Sequence, residues 1–302
     1  AHGTMDDQKI RAISDRLTYL RNLEQRREEI AELISASDNM TEEIAAALER
    51  AVTLTELEDI YLPYKPHRKT RADIAREQGY EPLATALFAQ KRDADEAIKQ
   101  LGKDKEQALQ GARDIMAEWI NQDEKARNSI RREFSYSAII TTKVVKGKES
   151  EPEAQKYKDY FAISEPLKRI SSHRLLAIRR AESEGYIRVD ISPDREKALD
   201  KLANLFLRSD SDATYQVELA MEDSYKRLLK PAIETEFAAS SKEKADAEAI
   251  RVFADNLRQL LLESPLGQQR VMALDPGFRT GCKLVILSAQ GDLLHHTVVF
   301  LN

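Results

Sequence analysis

The chain has 302 residues, 33% of them charged and 6% aromatic, with only 10 glycines and 9 prolines. At 42% hydrophobic content this excludes a disordered chain and favours long solvated helices striped with Leu, Ile and Ala, in about two domains. The net charge of −5 excludes a globally basic nucleic-acid binder but not a local basic patch, and the single cysteine, Cys282, excludes an internal disulfide or a thiolate zinc cluster. No run approaches the ~20 apolar residues of a membrane span. The start, Ala1-His2-Gly3-Thr4-Met5, lacks the apolar stretch of a signal peptide and reads as a cloning scar. A reducing, cytoplasmic setting is expected.

From Asp6, the residues Ile10, Ile13, Leu17, Leu20, Leu23, Ile30 and Ile34 recur at helical spacing, opposite charges such as Arg16, Glu24 and Arg26. They predict an amphipathic helix of about eight turns. Thr41 followed by Glu42 and Glu43 caps a second helix, and residues 53–61 form a third. Pro63 and Pro66 forbid helix over 62–66 and push the residues before them to extended geometry. Helices are expected over 72–78, 82–90, 93–101, 103–121 and 124–134, with Trp119 in the core beside Ile115 and Met116.

Over 137–146 two readings stay open. The β-branched run Ile139, Ile140, Thr141, Thr142, Val144 and Val145 favours strand, and the helical neighbours favour helix. A helix from 171 ends at Gly185, and the alternation over 186–191 predicts one short half-buried strand. Helices follow over 194–207, 215–229 and 231–263. After Ser264-Pro265-Leu266-Gly267 the texture changes to strands over 271–275, 283–288 and 293–301. A three-stranded meander is marginal alone, so it reads as the opening of a second domain.

The segment Leu57-Glu58-Asp59-Ile60-Tyr61-Leu62-Pro63-Tyr64-Lys65-Pro66-His67-Arg68-Lys69-Thr70-Arg71 resembles a signature of the bacterial Tex family of transcription accessory proteins. Val144-Val145-Lys146-Gly147-Lys148-Glu149, Tyr157-Lys158-Asp159-Tyr160-Phe161 and Ser164-Glu165-Pro166-Leu167-Lys168 are similar to that family in the same order. Leu274-Asp275-Pro276-Gly277-Phe278-Arg279-Thr280-Gly281 resembles the start of its YqgF-type, RNase H-like domain. The resemblance implies a mainly α, irregular multi-helix scaffold over 6–263, followed by the first β-strands of an RNase H-like α/β domain over 270–302. It also implies a middle piece of a longer chain that binds RNA or DNA and meets the transcription machinery. No cofactor is expected, and the chain is expected to be a monomer.

Lys65, Arg68, Lys69 and Arg71, interleaved with Tyr61 and Tyr64, have the parts of a nucleic-acid contact. The alternative is a proline-locked connector with its tyrosines packed inward and its basic groups in water. Arg174, Arg179 and Arg180 form a second basic group, Lys143, Lys146 and Lys148 a third, and both also read as solvated faces. Asp275 ends the first strand of the meander, where RNase H-like nucleases place a metal-binding carboxylate. The Tex resemblance implies that this activity is lost, leaving Asp275 vestigial. The adjacent His295 and His296 point to opposite faces of a strand and cannot chelate one ion together. Two competing functions stay open: a metal-dependent nuclease or resolvase using Asp275, and a protein-interaction scaffold without nucleic-acid contact.

Overall fold

A computed structural model describes residues 6–66, 68–100, 102, 104–277 and 280–300. The chain is mainly α and divides into two compact units, one up to Ala245 and one from Asp246 onward. In the first, α1 (Asp7–Ala36), α2 (Glu42–Arg50) and α3 (Leu54–Tyr61) enclose a small core of Leu23, Ile30, Ile34, Leu48, Leu57 and Tyr61. Each start is capped, at Thr41 as the sequence predicts. Asp6 accepts from the Lys9 amide, Thr41 from Ile44, and Thr53 forms a reciprocal capping box with Glu56. The apolar stripe of α1 is buried only in its second half. Ile10, Ile13, Leu17 and Leu20 are exposed, because α2 and α3 return against the stretch from Leu23 onward.

Lys65, before Pro66, is extended as expected, but Leu62, before Pro63, is helical. Leu62–Tyr64 is a 3₁₀ turn with Pro63 in its first positions, where a missing amide hydrogen is harmless. Next come α4 (Arg71–Glu77), α5 (Glu81–Ala89), α6 (Arg92–Gln100) and α7 (Lys105–Gln122), packed with the later helix Asp212–Ser224 around Leu87, Ile98, Leu109, Ile115, Met116 and Val217. Trp119 is half-buried at the margin of that core, edge-on to Phe88 at 5.6 Å between ring centroids. The predicted helix ends at Leu101 and Lys103 fall outside the described residues.

The segment after α8 (Glu124–Ser137) resolves as strand. β1 (Ile139–Val144) lies between β2 (Ser164–Pro166) and β3 (Ile187–Ser192) in an antiparallel sheet of order β2-β1-β3. The strand near 186–191 is therefore not solitary, as the sequence reading had it. A 3₁₀ stretch, Pro152–Tyr160, which the sequence reading did not anticipate, carries the chain from β1 towards β2. Thr142 ties it down by donating to the Tyr160 carbonyl at 2.6 Å and accepting from the Ile163 amide at 2.9 Å.

Behind the sheet, Phe134, Ile140, Ile178, Ile191, Leu202 and Tyr225 belong to the largest core, shared with α8, α9 (Ser172–Ser183), α10 (Arg195–Phe206), α11 (Asp212–Ser224) and α12 (Lys230–Leu261). The helix break expected between Leu229 and Pro231 does not occur. Residues Tyr225–Leu229 form a π-helical turn in which the Lys230 amide reaches back to the Tyr225 carbonyl. Pro231 cannot supply the next i−4 hydrogen bond, and the wider turn before it accommodates that loss. The unit from Asp246 contains the end of α12 and a meander, β4 (Val271–Asp275), β5 (Cys282–Leu287) and β6 (Leu293–Val299), antiparallel in chain order as predicted. Among the described residues no helix is long and apolar enough to cross a membrane.

Candidate nucleic-acid interface

The Leu57–Arg71 signature is built around packing. Tyr61 is buried, with the Arg26 guanidinium 5.7 Å from its ring centroid, and Tyr64 packs half-buried against the same core. Tyr61 is thus not available to stack a base. Lys69 Nζ donates to Glu77 Oε2 at 2.5 Å, and Arg68 and Arg71 are exposed. Thr70 caps α4 in a reciprocal box with Asp73. Lys65 borders a cavity of about 290 Å³ whose wall includes Asp59, Arg127, Arg131 and Glu236. His67 lies outside the described residues.

That wall is a buried ion cluster that joins three helices and that the sequence reading missed. Arg127 Nε donates to Asp59 Oδ1 at 2.7 Å and its Nη2 to Glu236 Oε1 at 3.2 Å. Arg131 Nε donates to Glu236 Oε2 at 2.7 Å and its Nη2 to Asp59 Oδ1 at 2.9 Å. Burial opposes the charge on Arg131, but its bonds to Glu236 and Asp59 win, and its guanidinium is held above its ordinary value.

The arginines of α9 do not form one surface. Arg174 Nη1 donates to Glu165 Oε2 at 3.2 Å. Arg179 turns inward, with only 13% of its side chain exposed, and its Nη1 donates to Glu182 Oε2 at 2.7 Å. Its buried Nε and Nη2 find no hydrogen-bond partner among the described residues. Arg180 alone of the three is exposed.

The basic group that the fold does assemble lies on the outward side of the sheet. Ile140 of β1 and Ile187 and Ile191 of β3 point into the core, which turns Lys143 and Arg188 to the other face. The strand register places these two cations directly opposite each other, an arrangement that repels. With Lys146 they border a cavity of about 510 Å³, in which Asp190 is the acidic residue. Asp190 accepts from Lys230 Nζ at 2.5 Å and from the Ser192 hydroxyl at 2.6 Å. Burial raises the pKa of its carboxyl, but those bonds outweigh it and hold the group below its ordinary value. Lys230 and Ser192 also border a second cavity, of about 370 Å³, with Arg195, Lys226 and the π-turn residue Tyr225. Lys148, the third member of the sequence-predicted group, lies 5.1 Å from the centroid of the Tyr186 ring instead. Arg188 gave no signal beyond its place in an alternating strand.

Asp275 ends β4 with 78% of its side chain exposed, and Lys283 Nζ lies 3.9 Å away. Among the described residues no group of three or more His, Cys, Asp or Glu is arranged to hold a metal. His295 and His296 are consecutive on β6, opposite Ile286 and Val285. Phe278 and Arg279 of the adjoining motif lie outside the described residues.

These features define a helical scaffold that carries a small sheet with a basic outer face and leads into a separate β-meander. The family model described as Tex central region-like matches residues 87–253, and that of the Tex protein YqgF-like domain matches residues 269–302. The chain belongs to the Tex family. It is 36% identical over 315 residues to "Transcriptional accessory protein Tex" of Neisseria gonorrhoeae, covering 100% of this chain and 41% of that protein. It is 35% identical over 317 residues to "Protein YhgF" of Escherichia coli (99% and 40% covered). With "S1 RNA-binding domain-containing protein 1" of Homo sapiens it shares 28% over 319 residues (99% and 32% covered). The chain thus spans about two fifths of the length of its bacterial relatives.

Proposed function

We propose that this chain is the helical scaffold of a nucleic-acid-binding transcription accessory protein, and that it adds a weak, sequence-independent phosphate contact of its own. The observation that carries this reading is a family likeness running through the whole chain, to relatives whose names include a transcriptional accessory protein and an RNA-binding protein. A local excess of basic groups within an acidic chain supports the contact to phosphate. The setting is cytoplasmic, and the whole protein meets the transcription machinery through its helices. No nuclease chemistry is assigned to this chain: in-line cleavage with two metal ions needs several converging carboxylates, and Asp275 is mostly exposed at the end of β4, with Lys283 as its ion-pair neighbour.

A binding titration that compares this chain with the whole protein on the same RNA tests the reading. The whole protein binds more tightly, and the chain retains weak binding without sequence preference. Sequence-selective binding by the chain alone, or none, contradicts it.

A further inference from the structure

We infer that the outward face of β1 and β3 is a track for the phosphate backbone of a single nucleic-acid strand, contacted by Lys143, Lys146 and Arg188. The inference rests on the nucleic-acid-binding reading above and names the surface that performs it. Four observations lead here. First, Lys143 and Arg188 are cross-strand partners in the β1–β3 register. Two like charges directly opposite each other destabilise a sheet, and an anion seated between them reverses that penalty. No carboxylate hydrogen bond or ion pair to Lys143, Lys146 or Arg188 is found among the described residues, whereas the cations at 69, 76, 174, 179 and 195 all have one.

Second, the surface is concave rather than a scatter of exposed lysines, because the three cations border one cavity of about 510 Å³. Its acidic residue, Asp190, is bonded to Lys230 and Ser192 and also attracts Lys143, but one carboxylate stands against the three cations that border the cavity. Third, the bond from Lys230 to Asp190 links the border of this cavity to that of a second, lined by Lys226, Lys230 and Arg195 at the π-helical turn, a backbone irregularity that recurs at functional sites. Arg195 is paired there with Glu222 at 3.0 Å, and Lys226 is exposed beside it.

Fourth, the dimensions and chemistry select the ligand. The opposed cations stand on neighbouring strands, about 5 Å apart across the sheet, so the strip is one backbone wide. Among the described residues no aromatic ring borders the larger cavity. Without a stacking platform the track reads phosphates and not bases.

The test is fluorescence anisotropy of this chain with a short mixed-sequence single-stranded RNA over a range of salt concentrations. K143Q/K146Q/R188Q loses most of the affinity, and the slope of log K against log salt shrinks by about 2, at ~0.7 for each contact removed. Asp190→Asn moves the other way: it binds more tightly, since it removes the carboxylate that borders the Lys143, Lys146 and Arg188 cavity and weakens the hold on Lys230. That gain cannot come from misfolding. Unchanged affinity and slope in the triple variant, with the wild type binding, overturn the track and leave the functional reading intact. Absence of binding by the wild type overturns the functional reading itself. Tighter binding of a duplex, or of polyglutamate, through the same three residues assigns the face to a different partner and overturns the inference.

Discussion

Asp59 and Arg131 meet at 2.9 Å across 72 positions of sequence, Arg131 Nη2 donating to Asp59 Oδ1. Through Arg127 and Glu236 this contact fastens α3 to α8 and α12. Asp59 of the 57–71 signature therefore anchors α3 to the scaffold, and the basic residues that follow it depend on that anchor for their position.

Asp59→Asn is expected to destabilise the chain by about 3–5 kcal/mol, because it leaves two largely buried guanidiniums short of a counter-charge. Glu58→Gln, which breaks a more exposed pair with Arg26, is expected to cost less than about 1 kcal/mol. Urea unfolding of the two variants side by side measures the contrast. Equal losses would mean that the cluster does not anchor the scaffold.

Gly111 of α7 lies against the Tyr80 ring, and a Cβ added there would overlap it. Alanine gains about 1 kcal/mol of helix propensity but meets an overpacking penalty of about 1–3 kcal/mol, so Gly111→Ala lowers stability overall. In a Tyr80→Leu background the same change becomes neutral or stabilising. The double-mutant cycle is read from denaturation midpoints.

Burial raises the pKa of the Asp114 carboxyl, Asp223 adds to that, and Arg227 opposes it; the net effect is upward. A carboxyl with a raised folded-state pKa contributes fully below its ordinary value, about 4, and loses that contribution as pH rises through the raised value. Asp114→Asn removes this dependence. Its melting temperature relative to wild type is therefore expected to be higher at neutral pH than at about pH 4. A difference that stays constant with pH would contradict this.

The cap at Thr41 is legible in the sequence, because a cap is settled within four residues. Helical spacing likewise announces α1, but it says nothing of which half finds partners, and Ile10 to Leu20 stay exposed. At 137–146 the β-branched residues carried the correct signal. Only pairing with Ser164–Pro166 and Ile187–Ser192 decided it, and no local pattern encodes those partners. Pro231 marks the π turn but reads equally well as a helix break. The basic face was hidden for the same reason as the sheet. Lys143 opposes Arg188 only in this register, and a slip of one residue would send one of them to the core.

Incubating the chain with labelled single-stranded, duplex or branched substrates and Mg²⁺ or Mn²⁺ is expected to give no cleavage. Asp275 is mostly exposed, and no metal-holding group of carboxylates occurs among the described residues. Cleavage that Asp275→Asn abolishes would restore the nuclease reading.

The most direct measurement of the central claim is the salt dependence of RNA binding by this chain. Engagement of three to five basic groups predicts a slope of log K against log salt of roughly −2 to −4 on a single strand. Affinity should be weak and equal for unrelated sequences. A slope near zero, or no binding even at low salt, would contradict a phosphate-contacting scaffold and leave the chain a platform for proteins alone.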